Sequence, residues 1–306
     1  MLRLLRVDVG HAEVVDQARE QLSLGLVEVA LGLLLEHREH VDQMARRLEF
    51  IDEQVASGVG RAAFEHFVSQ TFGPSYRALG WTARAQEDDR TRRLRATVID
   101  LLGRVGRAPD VLHQAHDRLR DYLGGGANLD PTMAGTVVGL AALRGNGQLY
   151  ESYLRRLRAA RTPEEERRYL DALPRFERPE LVRKTLSLLL TTSVPAQGLL
   201  RFLPELVQEG PQPRALAWEF AKSHFALLER KTPRLGWLVS TVQEFCGERD
   251  AEDIGRFLRQ RGPWNERYVH ETSELIAGCA AWRQRASPAL ATWLEHAAPG
   301  VHNRGR

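Results

Sequence analysis

Apolar residues recur every three to four positions along most of the chain. Leu94, Val98, Leu101, Leu102 and Val105 lay one apolar stripe on a helix, with Arg92, Arg93, Arg95 and Asp100 off it. Val111, Leu112, Ala115, Leu119 and Leu123 repeat the pattern, as do Val182, Leu186, Leu189 and Leu190. No alternating run of Val, Ile, Thr and Tyr suggests a strand. Asn146-Gly147 separates two helical patterns rather than two β-like runs. From about residue 88 onward, helices of roughly 10 to 20 residues alternate with short polar turns. Short connections make antiparallel neighbours. The prediction is an all-α chain, a concave HEAT- or armadillo-like α-solenoid of stacked helix pairs without an exact repeat consensus.

Helix starts are marked by a capping side chain before a proline: Asp130-Pro131, Thr162-Pro163, Thr232-Pro233 and Ser287-Pro288. Proline suits the first turn, because the amide it lacks would be unpaired there. Thr162-Pro-Glu-Glu165 reads as a capping box. Gly106, Gly124-Gly125-Gly126, Gly145, Gly210 and Gly262 mark the ends. Residues 1–80 are helical but less regular, with breaks expected at Gly58 and Gly60 and at Phe72-Gly73-Pro74-Ser75. The expected organisation is an N-terminal segment over 1–80, the solenoid over 81–298 and a frayed tail over 299–306.

Composition adds bounds. The chain has 306 residues, 43% hydrophobic and 27% charged, which suits a soluble globular protein and excludes a disordered one. No stretch approaches the ~18 apolar residues of a membrane span. The longest candidate, Leu22 to Leu35, is interrupted by Ser23, Gly25, Glu28 and Gly32. The opening MLRLLRVDVGHAEVVD has no sustained apolar core and reads as neither signal nor transit peptide. Only two cysteines are present, Cys246 and Cys279, both in apolar surroundings. They read as buried small hydrophobes in a reducing, cytoplasmic setting. Net charge is +3, and all but three of the 43 basic residues are arginine. Acidic residues are interleaved with them, whereas nucleic-acid binders cluster their positive charge. Neither a nucleic-acid nor a membrane partner is expected.

The motifs of common hydrolases and nucleotide binders are missing. A helix-borne zinc peptidase needs His-Glu-x-x-His, which sets two imidazoles on one helix face with a glutamate to activate water. The nearest text is Glu36-His37-Arg38-Glu39-His40. Its histidines, like His113 and His116, are three apart and read as polar helix faces. There is no G-x-S-x-G elbow and no Walker loop. Gly58-Val59-Gly60 with Ala63 loosely fits a dinucleotide turn, but no strand precedes it. Arginine remains. Its planar fork suits carboxylates, a peptide C-terminus included. Arg155, Arg156, Arg158, Arg167, Arg168, Arg183 and Lys184 form the runs that could line a concave peptide-binding face. The competing reading is a solvated outer face paired with neighbouring Glu and Asp.

A set of motifs in order resembles one family. Leu79-Gly80-Trp81, Glu87-Asp88 and Arg93-Leu94-Arg95 resemble a signature of the C-terminal helical domain of the aminopeptidase N family of zinc aminopeptidases. Puromycin-sensitive aminopeptidase and the endoplasmic-reticulum aminopeptidases belong to that family. Leu129-Asp130-Pro131, Gly145 with Tyr150 and Tyr153, and Thr162 to Leu173 continue the match. Trp218 in RALAWEF, Phe245-Cys246, Glu274-Leu275-Ile276 with Trp282, and Trp293-Leu294 complete it, so that it covers about residues 20 to 296. In the family, zinc is held by HExxH…E in an upstream domain, and a GxMEN loop there binds the substrate's free amine. This chain has neither motif, so no catalytic, cofactor or metal residue carries over.

The resemblance implies a bowl that caps and gates the peptide chamber of a catalytic domain supplied in cis or in trans. The expected partners are that domain and peptides. The chain alone is expected to be inactive, with zinc confined to the catalytic domain. The alternative is a free-standing α-solenoid that binds a peptide or protein by itself.

Overall fold

The computed structural model describes residues 41–56, 59–126, 129–191, 196–232 and 235–297. Among them there are fourteen helices and no strand. The all-α class therefore stands. His37, His40, Gly58, Pro233, the Leu22–Leu35 stretch and the tail over 299–306 lie outside the described residues.

The chain divides into two compact units, residues 1–48 and 49–306. Helix α1 is Val41–Gln54. The described part of the first unit is its opening eight residues, where Val41, Ala45 and Leu48 are buried at helical spacing. In the second unit follow α2 (Val59–Leu79), α3 (Asp89–Arg104), α4 (Pro109–Leu123), α5 (Pro131–Leu143) and α6 (Gly147–Ala159). Next come α7 (Pro163–Ala172), α8 (Pro179–Leu188), α9 (Ala196–Gln208), α10 (Pro211–Ser223) and α11 (Phe225–Lys231). The chain ends in α12 (Gly236–Val242), α13 (Glu248–Gln260) and the long α14 (Glu266–Ala297).

Several helices begin where their capping side chains stand. Asp88 accepts from the amide of Thr91 at 2.7 Å, Asp130 from Thr132 at 2.8 Å and Asn146 from Leu149 at 3.0 Å. Each pairs one of the first-turn amides that the helix leaves orphaned. Thr162 accepts from Glu165 at 3.2 Å, and the Glu165 carboxylate accepts from the amide of Arg161 at 3.0 Å, one residue before the cap. One expected break and one expected helix start are absent. Pro74 and Pro288 both lie inside helices, α2 and α14. A proline removes one backbone bond and crowds the preceding turn. Here buried neighbours hold the helix through it: Phe72 in α2, and Ala286 and Leu294 in α14.

Packing follows from helix composition. In α5, Met133, Ala134 and every residue from Val137 to Leu143 are buried. A helix apolar on all sides belongs in the interior, and α5 packs against α3, α4 and α7. Sequential helices pair (α2 with α3, α6 with α7, α9 with α10), and alternate helices also pack (α3 with α5, α5 with α7, α8 with α10). The last helix then returns to the beginning of the unit. Helix α14 packs against both α13 and α2. Val55, Trp282 and Ala286 form a core cluster there with Ile51 and Leu290. Trp293 meets Phe67 edge to face at 5.2 Å, and Ser287 donates to the carbonyl of Val55 at 2.7 Å. Each large side chain so buried contributes roughly 1.5–3 kcal/mol.

Cys246 and Cys279 are joined in a disulfide across 33 residues of sequence. This corrects the reading of two free buried thiols. The bond ties the α12–α13 connection to the middle of α14. It also removes the ground for a cytoplasmic expectation, which rested on free cysteines, because disulfides persist in oxidising compartments. Among the described residues, no helix is long and apolar enough to cross a membrane.

Candidate functional site

The family-like signature residues build one corner of the fold. Gly80 ends α2 with φ +62°, a conformation that suits glycine. Arg95, only 1% exposed, reaches across from α3. Its Nε donates to the carbonyl of Gly80 at 3.1 Å, and its two terminal nitrogens meet the two carboxylate oxygens of Glu87 at 2.5 Å each. This bidentate pair lowers the pKa of the Glu87 carboxyl. Trp81 Nε1 donates to the Tyr76 hydroxyl at 2.9 Å, and the Arg118 guanidinium lies 4.9 Å from the Trp81 ring centre. The signature therefore fixes the α2–α3 turn, which is a structural role.

The second unit contains a charged cavity of about 540 Å³, partly open to solvent. Helical spacing brings Glu49, Asp52 and Glu53 to one face of α1, the end of α3 adds Arg104, and the residue after α9 adds Glu209. Arg61, Arg107, Arg214 and Arg283 complete its charged lining. Most of these charges are matched. Arg104 donates to Glu49 at 3.2 Å and to Glu209 at 3.3 Å. Arg61 donates to the Asp52 carboxylate at 2.7 Å and to the carbonyls of Asp52 and Ala56, and so caps the end of α1. Arg107 pairs with Glu177 at 2.5 Å.

Burial decides the protonation of what remains. Desolvation pushes the Glu53 carboxyl up to about 8. Arg104 opposes that shift, while Glu209, Glu49 and Glu244 add to it. Glu205, on α9, is pushed up to about 7 by the same cause, with Arg201 opposing. Burial works against the charge of Arg104 too, but Glu209, Asp100, Glu49 and Glu53 together raise its pKa. The cavity thus holds a guanidinium caged by carboxylates, with burial holding the Glu53 carboxyl well above the usual carboxylate range. Arg214 is 8% exposed. Its Nε donates to the carbonyl of Val207 at 3.0 Å, and its buried Nη2 has no partner. The lining carries no hydroxyl, thiol, imidazole or amine side chain. Its polar side chains are carboxylates, guanidinium groups and the amides of Gln54 and Gln208.

The residues expected to contact peptide lie elsewhere. Arg155, Arg156 and Arg158 are on α6, and Arg183 and Lys184 are on α8. Arg155, Arg158 and Arg183 are exposed. Arg156 donates to the carbonyl of Leu123 at 2.9 Å and lies 5.8 Å from the Tyr122 ring. Lys184 pairs with Glu151 and lies 5.4 Å from the Tyr150 ring, so it joins α8 to α6. Arg168 donates to the Tyr122 hydroxyl at 2.9 Å. His113 is exposed and pairs with Asp117 at 3.3 Å. Among the described residues no three His, Cys, Asp or Glu side chains gather as metal ligands.

The cavity was missed in the sequence, although one signal was there. Arg214 falls on the same face of α10 as Ala217, Trp218 and Ala221, all buried. An arginine in register with an apolar stripe is a candidate buried cation.

Comparison with known proteins places the chain. The family model described as the ERAP1-like C-terminal domain matches residues 23–278. A relative named "Probable aminopeptidase 2", from Sulfurisphaera tokodaii, is 30% identical over 151 residues. That match takes in 48% of this chain and only 19% of the relative.

Proposed function

This chain belongs to the ERAP1-like C-terminal domain family, and from that premise we propose that it is the non-catalytic helical half of a zinc aminopeptidase. It docks on a catalytic domain that removes N-terminal residues from peptides, and it walls and gates the peptide chamber. The observation that carries the reading is the family match over residues 23–278. The aminopeptidase name of the relative, most of which lies outside the match, supports a catalytic domain in cis or in trans. Sequential and alternate helices pack as stacked helix pairs do, and α14 packs back on α2. Enclosure would favour unfolded peptides and keep bulk water from the reaction. Zinc and its chemistry belong to the catalytic domain. The exposed Arg155, Arg158 and Arg183 are the proposed peptide contacts on this side.

Two measurements test this. The chain alone, assayed on aminoacyl substrates, should release nothing. Hydrolysis abolished by a chelator would overturn the non-catalytic assignment. An antibody to the chain should detect, in source cells, either a species far heavier than 306 residues or a complex containing a zinc aminopeptidase domain. A 306-residue species without such a partner would favour the free-standing binding module.

A further inference from the structure

We propose that the Cys246–Cys279 bond is a redox latch: a dithiol reductant opens it in the folded chain, and opening it loosens the turn of α14 that borders the charged cavity. The chain has two cysteines, and they are joined to each other. It therefore has one bonded and one open state, with no third thiol to reshuffle them.

The bond sits where a reductant can reach it. Cys246 is 1% exposed, but Cys279 is only half-buried. The helix surface around Cys279 is bare. Gly278 precedes it, and a methyl added there would meet nothing within 4 Å. Leu275, one turn back, is 50% exposed. Exposed disulfides are the labile ones, whereas buried structural ones resist reduction.

The exchange proceeds in two displacements. A thiolate of the reductant attacks Sγ of Cys279, the S–S bond breaks, and its electron pair leaves on Sγ of Cys246, which takes a proton. The second thiol of the reductant then attacks its own sulfur bound to Cys279. That closes the reductant's disulfide and frees Cys279, which takes the second proton. The chain gains two electrons and two protons, and the dithiol loses the same.

Helical spacing sets what the bond holds. Trp282 and Arg283 lie three and four residues beyond Cys279, so they follow it on one side of α14. Trp282 packs with Val55 and Ala286, its ring 5.7 Å from that of Phe50. Arg283 lines the cavity. The half of α14 before Cys279 has its own close approach to α13: the Ser273 hydroxyl lies 2.6 Å from where a side chain on Gly255 would begin. Beyond Cys279, Gln284 donates to Glu248 at 3.2 Å on the exposed surface, a weaker tie. The contacts of Ser287 with Val55 and of Trp293 with Phe67 remain after reduction and confine the opening to the turns near Cys279. The rest of the unit stays folded, as local opening allows. This inference does not rest on the docking role proposed above.

The test uses the full chain, purified without reductant, in native buffer, with dithiothreitol as the probe. Thiols are counted by alkylation and mass, and backbone hydrogen exchange is followed by mass spectrometry before and after. Two thiols should appear without denaturant, with helicity unchanged by circular dichroism. Exchange over residues 276–290 should then rise about tenfold, while the interior helix α5 keeps its protection. Cys279→Ser, at the half-buried position, should exchange there as the reduced wild type does and should not respond to dithiothreitol. The inference is overturned if thiols appear only when denaturant unfolds the chain, which would make the bond purely structural. It is overturned equally if reduction leaves 276–290 unchanged, if it speeds α5 as much as α14, or if Cys279→Ser keeps the slow exchange of the bonded wild type.

Discussion

Reduction of the Cys246–Cys279 disulfide should destabilise the second unit by an amount set by the length of the loop it closes. The two residues are 33 apart in sequence. Chain-entropy arithmetic for a loop of that size gives about 3.7 kcal/mol at 25 °C. That corresponds to a several-hundred-fold change, roughly, in the folded-to-unfolded ratio. For a unit of this size the melting temperature should fall by about 7 °C. Reduced wild type is the right comparison, because replacing Cys246, which is buried, would add the separate cost of a cavity. The assay is urea denaturation of protein purified without reductant, repeated after reduction. A thiol titration of the unfolded sample runs alongside. Coincident unfolding curves would refute the entropic account. Two titratable thiols in never-reduced protein would refute the bond itself.

Further predictions follow from the same structure. Glu53→Gln should be silent near pH 4 and stabilising near pH 9. The folded carboxyl is raised to about 8, so the wild type loses stability as pH climbs from the unfolded value near 4.5 through 8. The gain should be on the order of 2–4 kcal/mol, read by denaturation at both pH values, and equal effects at the two would contradict the shift. Gly145→Ala should cost about 1–3 kcal/mol, since the added methyl would stand 2.3 Å from a ring carbon of Phe176, itself packed edge to face on Tyr150 and Tyr153. A thermal melt unchanged within a degree would be inconsistent with that packing. Arg95→Met should loosen the α2–α3 turn and speed hydrogen exchange at Gly80 and Trp81, because it removes the donors that hold Gly80 and Glu87. Unchanged exchange there would show that the turn is held by other contacts.

The sequence announces what is local. Asp130 and Thr162 cap the helices they were expected to cap, because a side chain reaching an amide two or three residues on needs no tertiary context. Pro74 and Pro288 misled for the converse reason. A proline carries a local penalty, and burial of Phe72, Ala286 and Leu294 around it is a tertiary gain that no nearby residue advertises. The cysteine pair was invisible on the same ground. Its two thiols meet only because α14 lies along α13 and the connection before it. The charged cavity draws on α1, α3, α9, α10 and α14, so its members are scattered through the sequence. Only Arg214, in step with the buried face of α10, left a readable trace. The arginine runs at Arg155–Arg158 and Arg183–Lys184 drew attention by clustering, yet Arg156 and Lys184 turn out to bridge helices.

The return of α14 to α2 has a consequence for how the chain is made. Ser287 and Val55, bonded in the finished protein, are 232 positions apart. At ribosomal rates of ~5–20 residues per second, roughly 10–50 s separate the appearance of one from the other. Throughout that interval the surface of α2 that ends against Trp293 waits without its covering helix. A nascent chain halted anywhere before α14 would display that surface to chaperones and proteases. Docking of α14 therefore completes this packing, and truncations that remove it while sparing every upstream helix should leave the α2 surface uncovered.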